Sequence, residues 1–264
     1  MADRDPLSDF TTDTFTDRGV TRTVFRQGAG PAVLVLTEMP GITPEVAGFA
    51  RRLVAAGYTV VMPSLFGEPG RPMSVGYVAR SMFSGCVSRD FASFALDRTS
   101  PITTWLLALA REAHARAGGP GVGVIGMCFT GGFALGMMVD EAVLAPVLSQ
   151  PSLPLGIGKT RRRALGVSDA DLAALKDRAA RGACVLGLRF TKDPLVPADR
   201  FETLRRELGE AFIGVEIDSS PGNPHDVPRT AHSVLTEHLV DEPGHPTRAA
   251  LDQVLSFLAE RLTG

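Results

Sequence analysis

The sequence predicts an α/β fold, a mostly parallel sheet with helices on both faces. Short uninterrupted apolar runs such as Ala32-Val33-Leu34-Val35-Leu36 and Val122-Gly123-Val124-Ile125 read as strands buried on both sides, the mark of parallel pairing. Segments with apolar residues at helical spacing alternate with those runs along the chain. No repeat, low-complexity linker or break in composition divides it. Residues 1–264 are therefore read as one domain, with 1–12 as a flexible N-terminal tail.

Composition narrows the function classes. A chain of 264 residues with 44% hydrophobic and 21% charged residues is ordinary for a globular domain with a well-buried core. The net charge of −2 comes without a basic block, so nucleic acid is not an expected partner. The three cysteines, Cys86, Cys128 and Cys184, are far apart, which suits neither a disulfide framework nor a zinc site. Residues 1–17 are rich in Asp and Thr, unlike a signal peptide, and no apolar run approaches the ~20 residues of a membrane span. The expectation is a cytoplasmic protein whose thiols stay reduced.

In order, residues 13–27 read as a hairpin, with β-branched and aromatic residues on either side of Asp17-Arg18-Gly19. The buried strand 32–36 follows. Thr43-Pro44 then starts a helix as cap and first residue, with Val46, Phe49, Ala50, Leu53 and Val54 on one face and Gly57 at its end. Residues 58–62 are the next strand, stopped by Pro63. Residues 66–97 read as a loop and then a helix or two at the rim of the site. Ser100-Pro101 opens a helix that closes at Gly118-Gly119-Pro120. After a strand at 142–148, residues 150–165 read as irregular, with Arg161, Arg162 and Arg163 as a solvated run. Ser168 and Asp171 make a capping box for a helix to Ala180. Strand 183–190, helix 197–208 and strand 212–217 come next. A long loop leads to Pro246 and a closing helix with Leu251, Val254, Leu255, Leu258 and Leu262 on one side.

The chemistry centres on residues 122–132. A buried strand runs into Gly126-Met127-Cys128-Phe129-Thr130-Gly131-Gly132, and an apolar helix follows. Strand, sharp turn and helix with a nucleophile-capable residue on the turn make a nucleophile elbow. The helix N-terminus favours a thiolate there. The bland alternative, a buried structural cysteine, does not account for the crowded small residues. In a parallel sheet, chemistry collects at the carboxyl ends of strands. Asp193 lies just past the strand ending at Phe190. Four histidines, His225, His232, His238 and His245, lie in the last loop and its margin. Nucleophile, acid, histidine is the chain order of α/β-hydrolases. Spacing alone does not choose the histidine, although His238 sits in a stretch, 235–240, that reads as a local strand.

These residues resemble the dienelactone hydrolase family, α/β-hydrolases with a cysteine nucleophile. The resemblance rests on Gly126-Met127-Cys128 with Gly131-Gly132 and on Glu38-Met39-Pro40-Gly41. It extends through residues 49–65, Asp193 with Val196-Pro197, and Ala231-His232-Ser233. It implies an α/β-hydrolase fold and a small-molecule ester or lactone as substrate. Apart from the resemblance, no dinucleotide-type glycine fingerprint follows the first strand and no metal cluster is visible, so no cofactor is expected. The expected assembly is a monomer or a homodimer. The resemblance further implies Cys128 as nucleophile, Asp193 as acid and His232 as base, with His245 second choice and His225 behind it. Glu38 would contact the thiol, and the backbone N–H groups of Met39 and Phe129 would form the oxyanion hole. The chain departs from the family at Thr130, where glycine is usual, and at Val234-Leu235-Thr236, which lack the substrate-binding arginine. The expected enzyme is thus a carboxylic ester hydrolase. A carboxylesterase or thioesterase is the same-class alternative, and a redox or ligand-binding protein using Cys128 the different-class one.

Overall fold

The structure, a computed structural model, describes residues 3–74, 76–78, 81, 101–153 and 159–263. The strands are β1 (Thr11–Asp17), β2 (Val20–Gln27), β3 (Ala32–Leu36), β4 (Thr59–Pro63), β5 (Val122–Met127), β6 (Val143–Ser149), β7 (Val185–Phe190) and β8 (Phe212–Ile217). They form one sheet in the order β1-β2-β4-β3-β5-β6-β7-β8. β1 and β2 pair antiparallel and β2 joins β4 antiparallel, while all pairs from β4 to β8 are parallel. The carboxyl ends of β3, β5, β6, β7 and β8 therefore share one edge.

Helices α1 (Pro44–Ala55) and α7 (Pro246–Leu262) cover one face of the sheet. Helices α2 (Pro101–Ala117), α3 (Gly131–Met137), α5 (Asp169–Ala180) and α6 (Ala198–Leu208) cover the other. A short α4 (Lys159–Arg163) lies between β6 and α5. The alternation in β3 explains the two layers: Val33 and Val35 pack with α1 and α7, and Ala32, Leu34 and Leu36 with α2 and α3. β3, β5 and β7 are buried throughout because each side of them meets a helix. Leu106 and Phe133 are fully buried, and such side chains stabilise the fold by about 1.5–3 kcal/mol each.

The expected caps form. Thr43 Oγ1 accepts the Val46 N–H at 3.3 Å, and Ser168 Oγ accepts that of Asp171 at 3.1 Å. Three expectations are corrected. Residues 3–12 are not a loose tail, because Leu7 and Phe10 are buried and Arg51 of α1 pairs with Asp5 at 2.6 Å and Asp9 at 2.7 Å. The segment 150–165 contains α4, where Arg162 and Arg163 pair with Asp199 on α6. Residues 235–238 are turn and 239–240 irregular rather than strand, because the His238 and Leu239 N–H groups donate back to the carbonyl oxygens of Ser233 and Thr236. Met82, Phe83, Phe91 and Phe94 of the expected rim helices lie outside the described residues, as does Cys86.

Candidate active site

Cys128 stands immediately after β5 with φ +54°, a left-handed conformation that costs a side-chain-bearing residue about 1–3 kcal/mol. The turn can be this tight because of its small neighbours. A Cβ on Gly126 would lie 2.3 Å from the carbonyl oxygen of Thr130, and one on Gly131 would lie 2.7 Å from Pro151 Cβ. Glycine at 126 is thus required for space, not for a positive φ. Thr130, where the family usually has glycine, does not loosen the turn. Its fully buried Oγ1 accepts the Met127 N–H at 2.8 Å and reaches the carbonyl oxygen of Leu36 at 2.7 Å. The elbow is fastened to the end of β3.

Asp193 follows β7 in a turn, with Oδ1 accepting the Leu195 N–H at 2.9 Å and Oδ2 facing His232 Nδ1 at 2.6 Å. An ionised carboxylate only accepts, so Nδ1 carries the proton and Nε2 is turned away from the acid. Arg189, 3% exposed on β7, holds this turn by donating to the carbonyl oxygens of Val196 and Thr191. His232 Nε2 is buried and has no well-formed hydrogen bond, but Cys128 lies close enough to act on the ring. Burial by itself would disfavour the imidazolium. Cys128 and then Asp193 outweigh burial and raise the imidazole to about 11.

The other histidines are elsewhere. His225 and His245 pack edge to face at 5.4 Å, and His245 caps α7 by accepting the Thr247 N–H at 3.3 Å. His238 packs edge-on against Phe190, and burial lowers its pKa. The structure therefore brings His232, and neither His225 nor His245, to Asp193.

Glu38 departs from the implied contact. Its buried carboxylate accepts from Ser233 Oγ, Thr236 Oγ1 and Gln150 Nε2, and the thiol is not among its partners. Cys128 Sγ instead meets Ser152 Oγ at 3.0 Å, while the Ser152 N–H donates to the Cys128 carbonyl oxygen. Met39 and Phe129 follow the ends of two paired strands, β3 and β5. Leu36 pairs with Gly126, and Met39 and Phe129 each lie three residues beyond that pair. The Phe129 ring packs against Phe66 and Phe133.

Gln150, Ser152, Thr236 and Arg200 were not singled out from the sequence. Gln150 adopts φ +38°, is fully buried, and accepts the Val234 N–H through Oε1. Arg200 of α6, 2% exposed, donates to the carbonyl oxygens of Pro151, Ala164, Leu195 and Arg161. It ties the Ser152 loop to the Asp193 turn. Burial pulls its pKa down to about 10, so it stays charged at neutral pH. The one available signal was that 150–152 directly follow a parallel strand.

A family model, the dienelactone hydrolase family, matches residues 20–260. The chain belongs to the dienelactone hydrolase family. As a member it is a carboxylic ester hydrolase with the α/β-hydrolase fold. It is 26% identical over 202 residues to a Salmonella typhi protein named "Putative carboxymethylenebutenolidase", covering 75% of this chain and 68% of that protein. Among solved structures, the dienelactone hydrolase of Anabaena variabilis aligns with a TM-score of 0.63 at 17% identity, covering 96% of this chain and 98% of that one. A dienelactone hydrolase-like promiscuous phosphotriesterase from metagenomic libraries aligns with a TM-score of 0.65 at 16% identity over 96% and 98% of the two chains. Those two likenesses concern the fold. No described helix is long and apolar enough to cross a membrane. Among the described residues no group of three His, Cys, Asp or Glu side chains is arranged to hold a metal ion.

Proposed function

We propose that this family member cleaves a small ester or lactone through an acyl-enzyme on Cys128, with His232 and Asp193 completing a triad. The observation that carries the reading is the 2.6 Å contact of His232 Nδ1 with Asp193, which leaves Nε2 for the elbow thiol. At neutral pH the Cys128 proton already rests on His232 Nε2, as the raised imidazole requires, so Cys128 Sγ attacks the carbonyl carbon as the thiolate. The tetrahedral oxyanion sits against the backbone N–H groups of Met39 and Phe129. One such donor is typically worth about 3–4 kcal/mol in the transition state. The intermediate collapses, the C–O bond breaks, and His232 returns the proton to the leaving oxygen. Water then attacks the thioester with His232 as base, releasing the acid and the free thiol. Asp193 keeps the imidazole in the required tautomer throughout. Glu38 acts on this chemistry through the loop it holds, Ser233 being the residue after His232.

The test is hydrolysis of dienelactone and a short series of aryl esters by the native protein and by Cys128→Ala, with intact-mass detection of an acyl adduct. The reading requires turnover that disappears in the variant and an adduct that maps to Cys128. A native protein that turns over none of these substrates, yet is alkylated at Cys128, would overturn it in favour of a redox or binding role.

A further inference from the structure

At the end of the sheet opposite the triad, a cleft of about 380 Å³ opens beside the starts of β6 and β7 and the last turns of α5 and α7. Arg178, Arg181, Arg261, Glu141 and Cys184 line it. Arg178 is only 8% exposed, and its three hydrogen bonds, to the carbonyl oxygens of Met138, Asp140 and Val143, all leave from Nη1. Among the described residues, Nε and Nη2 have no hydrogen-bond partner, and no carboxylate lies within ion-pair distance of this guanidinium.

The other two arginines are already matched. Arg181 pairs with Glu141 at 2.8 Å, and Arg261 pairs with Glu260 at 3.1 Å while lying 3.9 Å over the Phe257 ring. The carbonyls at the end of α3 explain why Arg178 is present, since cations suit helix C-termini. They supply partial charges, and the nearest full negative charges, Glu141 and Asp140, act on Arg178 only from beyond ion-pair distance. Burial holds Arg178 below the usual arginine range. The Nε–Nη2 edge is the fork that binds an oxyanion through two parallel hydrogen bonds.

We infer that this cleft binds a small molecule carrying a phosphoryl group, whose oxygens lie across Arg178 Nε and Nη2 with Arg181 and Arg261 at the rim. The doubly charged phosphoryl group suits a buried guanidinium flanked by two more cations better than a single carboxylate does. The site is separate from the ester chemistry, which lies at the carboxyl ends of the strands.

Cys184 provides the reporter, being a free, partly exposed thiol on the cleft wall. In the full chain carrying Cys128→Ala, iodoacetamide labelling of Cys184 would be followed by peptide mass spectrometry. Inorganic phosphate, glycerol phosphate or succinate would be titrated in at ionic strength held constant with chloride. Phosphate and glycerol phosphate should slow labelling saturably, with succinate at least fivefold weaker. Arg178→Met removes the fork but also the bonds to α3, so Arg181→Ala and Arg261→Ala, both at the rim, carry the test. Each should weaken phosphate binding at least fivefold while leaving ester hydrolysis by the Cys128-containing protein at the native rate. Protection no greater than with chloride, binding of succinate alone, or rim variants that bind phosphate as the parent does would each overturn the inference.

Discussion

Ser233 Oγ donates to Glu38 Oε2 at 2.5 Å, joining the turn after β3 to the loop that carries His232. With Thr236 and Gln150 on the same carboxylate, three neutral donors converge on one buried acid. Glu38→Ala would leave all three without their acceptor. At about 1–3 kcal/mol for each buried unsatisfied group, the variant should lose about 3 kcal/mol of stability even after partial relaxation. Urea unfolding gives the stability, and ester hydrolysis at a temperature where the variant is still folded gives the effect on His232. A variant with native kcat would show that the loop holds itself in place.

Thr130 makes the second tie, from the elbow to Leu36. Thr130→Gly restores the residue usual in the family but removes the bonds of Oγ1 to Met127 and Leu36. It should cost about 2 kcal/mol and lower kcat more than it changes KM, because Cys128 is held strained by this contact. Thr130→Ser, which keeps the hydroxyl, should restore most of both. If glycine proves neutral in stability and rate, the strain at Cys128 is borne by other contacts.

The His232 imidazole predicts a pH dependence whose sign follows from its raised pKa. An unfolded imidazole titrates near 6.5 and the folded one near 11, so protonation favours the folded state. This contribution is complete below about pH 6.5 and is lost as the pH climbs towards 11. Cys128→Ala removes the larger of the two raising influences. The His232 ring signals in NMR should then titrate at lower pH, and the alkaline fall in stability should be shallower. An unchanged midpoint would assign the shift to Asp193 alone.

The N-terminal arm should respond to acid. The hydrogen bond from Arg51 holds Asp5 and Asp9 below the usual carboxylate range, so their contribution is present above the unfolded value of 3.8 and is lost as pH falls through the folded values. Limited proteolysis with an acid-active protease should show cleavage near residues 3–10 increasing as pH drops below 4. Arg51→Ala should show the same cleavage at neutral pH, with Leu7 and Phe10 losing their cover.

Much of this was legible because it depends on local pattern. The hairpin, the eight strands and the capped helices follow from apolar runs, Thr43, Ser168 and the punctuating glycines, each of which acts within a few residues. The elbow was legible for the same reason, since Gly126, Cys128 and Gly131 must be close in sequence to make a tight turn. The burial of Leu7 and Phe10 was not, because their partner Arg51 is some forty residues away and the segment's Asp-rich composition reads as solvated. Thr130 looked like a departure when compared with a family pattern alone. Only the position of Leu36 beside it shows what its hydroxyl is for.

The sequence by itself determined the fold class, the order of elements and the residue types available at each strand end, because hydrophobic periodicity and turn chemistry are short-range properties. The tertiary structure decided which histidine meets Asp193, that Glu38 holds the His232 loop and not the thiol, and that Ser152 reaches Cys128. These pairings join segments separated by 24 to 198 positions. Their distances are set by the register of β3, β5, β6 and β7 and by the course of the loop after β8, which no local pattern encodes.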